Sequence, residues 1–144
     1  MKIQILVFAI GLAVGVAKGQ EKPRPLYERV GRYDGIAAIV DEYFKNVRAD
    51  PQFARFGGRG ADSLRRAKQL LKDQLCAMTG GPCVYTGRDM KTAHGGLGIT
   101  ESDWAANMKH LTAALEKVHV SGGKRTEFLE IVESLKPAIV EKEK

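Results

Sequence analysis

Apolar residues recur at three- and four-residue spacings in four stretches of the chain, and each reads as an amphipathic helix. The first, from about Asp34 to Ala49, lines up Ile36, Ile39, Val40, Tyr43, Phe44 and Val47. It stops ahead of Pro51, because helical backbone is disfavoured just before proline. The second, from about Ala61 to Met78, aligns Leu64, Ala67, Leu71, Leu75 and Met78, and Thr79-Gly80-Gly81-Pro82 closes it. The third opens on Thr100-Glu101-Ser102-Asp103, a capping-box-like start. It carries Trp104, Met108, Leu111, Leu115 and Val118 and ends at Ser121-Gly122-Gly123. The fourth, from about Lys124 to Val140, carries Phe128, Ile131, Val132, Leu135 and Ile139, with a kink expected at Pro137. No stretch alternates with period two for long enough to argue a strand. The pattern therefore predicts an all-α fold with four main helices.

Two connectors do not suit a tight bundle. Asp50 to Gly60 holds Phe53 and Phe56, and Gly81 to Ile99 has room for at most one helical turn, around Asp89 to His94. Connections longer than roughly 12–15 residues inside a compact domain usually carry function or are disordered. The second connector holds Cys83, Tyr85, Met90 and His94, too much apolar and aromatic material for disorder. Glycine pairs and clusters fall between the periodic stretches and read as helix stops and connectors.

Composition narrows the class. A chain of 144 residues with 44% apolar and 28% charged residues is one ordinary globular domain. The net charge of +6 is too mild and too dispersed for a nucleic-acid binder. The N-terminus reads as an export signal over residues 1–19. Lys2 precedes an uncharged apolar run from Ile5 to Ala17, and Ala17-Lys18-Gly19 offers small residues at a cleavage site. That run is shorter than the ~20 residues a membrane-spanning helix needs. The expected mature domain is residues 20–144, exported to the periplasm, with no membrane span. In that compartment Cys76 and Cys83 suggest a disulfide, the alternative being two reduced, buried thiols.

Three histidines are candidates for chemistry. His110 and His119 read as surface or helix-end residues, with nothing nearby in sequence to complete a site. His94 stands out by its setting, in Tyr85-Thr86-Gly87-Arg88-Asp89-Met90-Lys91-Thr92-Ala93-His94 followed by Gly95-Gly96-Leu97-Gly98-Ile99. If Asp89 to His94 makes one helical turn, the Met90 carbonyl lies four residues back and can accept from the imidazole Nδ1–H.

An ordered set of motifs resembles the group I truncated haemoglobins over about Leu26 to Val140. Leu26-Tyr27-Glu28-Arg29-Val30-Gly31 is similar to the family's start, and Ala49-Asp50-Pro51 with Phe53 and Phe56 to its first connector. Gly80-Gly81-Pro82, Tyr85 to Met90, His94 and Gly98-Ile99-Thr100 resemble the stretch around the haem-binding histidine. The resemblance implies a two-over-two helical sandwich around haem, with His94 as the proximal iron ligand. It implies haem b held without covalent attachment, since no Cys-x-x-Cys-His occurs. Phe56 is the expected wedge against haem, with Phe53 as the alternative. Lys68 either pairs with a propionate or belongs to a solvated face. Tyr85, Met90, Leu75, Leu97 and Met108 complete the expected lining.

The distal side departs from the family's usual pattern. The position where a tyrosine is common carries Phe44, with Tyr43 one residue earlier, and either could face the iron. The second helix offers Ala67, Leu70 and Leu71, which are as compatible with core packing as with ligand contact. The pocket reads as apolar, over a five-coordinate iron. Gln69 and Gln74 are unplaced donors. Reversible binding of O2, and of NO or CO, is the implied function. A peroxidase role is not expected without distal acid–base groups, and NO dioxygenation would require a reductase partner. The competing reading is a cofactor-free helical binding module of the periplasm.

Overall fold

A computed structural model describes residues 22–57 and 60–141. The expected export signal lies outside them. Among the described residues the fold is all-α. The elements are α1 (Leu26–Arg29), α2 (Arg32–Ala49), a 3₁₀ segment (Pro51–Phe56), α3 (Gly60–Met78), α4 (Met90–His94), α5 (Glu101–Lys117), α6 (Gly123–Glu133) and α7 (Lys136–Ile139). Packing of α2 on α3, α5 on α6, and α2 across α5 produces a two-over-two helical sandwich.

The apolar stripes form the core at these crossings. Ile36, Ile39 and Val40 of α2 meet Leu75 of α3, Leu111 and Leu115 of α5 and Phe128 of α6, all buried. Burying side chains of this size contributes roughly 1.5–3 kcal/mol each. A second cluster gathers Ile99, Trp104 and Ile139, with Phe56, Met90, Met108 and Leu135 packed partly against it. Met108 and Val132 touch both clusters. The stripe of α3 is buried unevenly. Leu75 and Cys76 are sealed, whereas Leu64, Leu70 and Leu71 are half-buried and Ala67 is exposed.

Several expectations change in detail. The short helix α1 precedes the first periodic stretch, hydrogen-bonding Tyr27 N–H to the Thr79 carbonyl at 2.8 Å. The first connector is a 3₁₀ helix, started by Asp50 accepting from Gln52 N–H, with proline in its first turn. Pro137 breaks the last helix instead of kinking it. It lacks an N–H and clashes with the carbonyl four residues back, so α6 ends at Glu133 and α7 starts at Lys136. Gly123 opens α6 where a stop was expected.

At Gly81 only glycine fits. A Cβ there would sit 2.6 Å from the Tyr27 ring and 2.7 Å from Cys76 Sγ. Cys76 and Cys83 form a disulfide across this turn, with an S–S distance of 2.03 Å. The end of α3 is thereby joined to the start of the long connector.

Candidate functional site

The long connector delivers His94 through α4. Asp89 caps that helix, its carboxylate accepting from Thr92 N–H at 3.0 Å. Hydrogen bonding to Thr92 holds the Asp89 carboxyl below its ordinary value. The single turn places His94 Nδ1 at 2.9 Å from the Met90 carbonyl. A carbonyl can only accept, so Nδ1 carries a proton, and in the neutral ring Nε2 is then the nitrogen with the free lone pair. His94 is half-buried, and Met90 belongs to the second apolar cluster together with Phe56 and Met108. After His94 the chain turns away through Gly95 and Gly96, the latter at φ +80°.

The loop that follows is held from two sides. Glu141 N–H donates to the Ile99 carbonyl at 2.9 Å, and Gly98 N–H donates to the Glu141 carboxylate at 3.3 Å. Arg55 reaches across from the 3₁₀ segment and donates to the Leu97 carbonyl at 3.1 Å. Leu97 itself points outward and is exposed. Tyr85 bends over Gly87, and its hydroxyl donates to the Arg88 carbonyl at 2.6 Å.

On α2 the adjacent aromatics diverge. Tyr43 donates its hydroxyl to Asn107 Oδ1 on α5, and burial pushes that hydroxyl up to about 12. It is therefore a neutral donor already committed to an acceptor. Phe44 meets Tyr43 edge-on at 5.4 Å and lines an open cavity of about 460 Å³ with Asp41, Arg48 and Lys68. Lys68 Nζ lies 3.0 Å from Asp41 Oδ1, with Lys72 Nζ at 3.7 Å from the same atom. The Lys68 hydrogen bond lowers the Asp41 carboxyl against the opposing effect of burial. Of the distal candidates on α3, Leu71 packs against the main core, Leu70 is half-buried and Ala67 is exposed. Leu75, expected to touch a cofactor, is a full member of that core. Gln69 is engaged by Tyr33 and Asp73, and Gln74 is buried.

His110 is not the isolated surface histidine that the sequence suggested. Its Nε2 lies 2.7 Å from Asp50 Oδ2, and its ring meets Phe53 edge-on. The two residues lie 60 positions apart, so no local pattern could have paired them. His119 sits at the exposed end of α5. Arg55, and its pairing with Asp103, were missed by the sequence reading. The capping box around Thr100 and Asp103 was legible, but the ion pair from Asp103 to Arg55 was not. Among the described residues no group of three or more His, Cys, Asp or Glu could hold a metal ion.

A family model described as bacterial-like globin matches residues 25–141. The group 1 truncated hemoglobin GlbN of Mycolicibacterium paratuberculosis is 30% identical over 118 residues, covering 82% of this chain and 85% of that protein. GlbN of Nostoc sp. is 33% identical over 117 residues, covering 81% and 98%. The truncated hemoglobin of Tetrahymena pyriformis in its Fe(III) form superposes with a TM-score of 0.76 at 24% identity, over 83% of this chain and all of that one.

Proposed function

The chain belongs to the bacterial-like globin family, and we propose on that premise that it is a truncated haemoglobin that binds haem b through His94 and binds O2 reversibly. The single observation carrying this reading is the His94 imidazole, tied at Nδ1 to the Met90 carbonyl so that Nε2 is left as the donor. A histidine that ligates iron is characteristically held this way, its second nitrogen giving a proton to a fixed acceptor. The surroundings fit the group. Met90, which holds the His94 ring, shares an apolar cluster with Phe56 and Met108, and the front half of the α3 stripe is only partly covered by protein.

Haem, when bound, supplies the iron at which a diatomic gas binds. The chain's own residues fix the rest. Phe44, Ala67, Leu70 and Leu71 offer the distal side no hydrogen-bond donor, and the Tyr43 hydroxyl is turned to Asn107. No histidine lies on α3, so none there competes for the iron, which supports a five-coordinate resting state. O2 release and oxidation of the ferrous protein should both be fast. NO and CO fit the same apolar site. With both cysteines joined to each other, neither supplies a thiol for covalent haem attachment. NO dioxygenation would additionally draw on an external reductase. The functional domain in this reading is residues 20–144, exported after removal of residues 1–19.

Optical spectra test the reading. The purified protein mixed with haemin should show a Soret band, and His94→Ala should lose it or shift it to a weakly bound form. A folded protein that stays colourless with haemin supplied would favour the cofactor-free module. Intact mass of the exported protein, matching a chain that begins at Gln20, tests the leader.

A further inference from the structure

The 3₁₀ segment between α2 and α3 has no buried residue of its own, yet it is tied to α5 along its length. Asp50 pairs with His110 at one end. Gln52 donates to Asp103 Oδ1 at 3.0 Å, and Arg55 forms an ion pair with Asp103 Oδ2. Arg55 also donates its other terminal nitrogen to the Leu97 carbonyl, and its guanidinium carbon lies 3.9 Å from the centre of the Phe56 ring. Asp103 is only 5% exposed, and its Oδ2 also accepts from the Thr100 N–H and hydroxyl. A carboxylate preset by this many donors is a rigid anchor. Arginine suits the role because its planar fork grips two acceptors while its face stacks on a ring, which lysine cannot do.

Through these contacts one side chain joins two stretches: the segment bearing Phe56, which packs on the same apolar cluster as Met90, and the loop three residues beyond the histidine. We propose that Arg55 is a positioning residue, a clasp that holds Phe56 and the 95–98 loop together along the edge of the haem site and so sets how long haem stays bound. The inference rests on the haem-binding reading above. Arg55 acts through Phe56 and the Leu97 carbonyl, with no contact to haem required.

The haemin-loaded full chain, mixed with an excess of an acceptor apoglobin, reports haem loss as the change in Soret absorbance. Arg55→Ala should lose haem about tenfold faster than the unmodified protein, since removing one partner of an anchored charge pair acts mainly on the off-rate. Arg55→Lys keeps a charge near Asp103 but cannot grip both acceptors, and should fall between the two. It also carries the test if the alanine variant fails to fold. Ile39→Val trims the main core away from the clasp and controls for lost stability, which is followed as the melting temperature of each apoprotein. The inference is overturned if both Arg55 variants stay within about twofold of the unmodified rate, or if Ile39→Val accelerates loss as much for an equal fall in melting temperature. Failure of the unmodified protein to take up haemin would instead overturn the haem-binding reading, and this inference with it.

Discussion

Tyr43 and Phe44 are neighbours in the chain, but α2 turns about 100° between them. One hydroxyl is consumed by Asn107 while the phenyl ring faces the open cavity. The O2 off-rate of Tyr43→Phe should therefore change by less than about threefold, because the hydroxyl's hydrogen bond is made elsewhere. The same variant should lose about 1 kcal/mol of stability in urea unfolding, as it leaves Asn107 without its donor. A large rise in the off-rate would place the hydroxyl at the bound gas and reverse the assignment. The hydrogen bond between His94 and the Met90 carbonyl was legible from local sequence because the two residues are four apart on the same turn. Asn107 was not, because it lies 64 positions from Tyr43 and no spacing rule connects two helices.

At the scale of elements, the four periodic stretches became helices within two residues of their expected starts, the fourth divided into α6 and α7, since an apolar stripe at helical spacing is a local property. The connectors were harder. The backbone of Asp50 to Phe56 closes on itself as a 3₁₀ helix through an aspartate cap and proline, and its side chains are then fastened to α5 by Gln52 and Arg55. The disulfide is the covalent counterpart at the other connector. It joins α3, which bears the distal candidates, to the chain leading to His94. Cys83→Ser should lower stability to urea by about 2–3 kcal/mol, the chain-entropy value for so short a loop. Reducing the unmodified protein should produce a similar loss. No change on reduction would show that the turn is already held by the Gly80-Gly81 geometry and by the Tyr27 hydrogen bond to Thr79.

For the whole molecule, Asp103 links the capping of α5, the 3₁₀ segment and, through Arg55, the loop after His94. Burial pushes its carboxyl upward, but bonds from Thr100 and Gln52 and the Arg55 charge outweigh that and hold it below its ordinary 3.8. A depressed carboxyl adds stability that is fully present above the ordinary value and fades as pH falls through the folded-state value. The stability difference between the unmodified protein and Asp103→Asn should therefore be constant from neutral pH down to about pH 5 and narrow below pH 4. Urea midpoints at a series of pH values check this, and a difference that grew on acidification would contradict it. The sequence by itself determined the helical class, the positions of the main helices and the candidacy of His94, because each depends on residues within a few turns of one another. Only the tertiary structure decided that Tyr43 turns to Asn107, that His110 belongs with Asp50, and that Arg55 spans Asp103, Phe56 and the Leu97 carbonyl. Most of those partners are 40 or more residues apart, and packing of the core brings them within hydrogen-bonding reach.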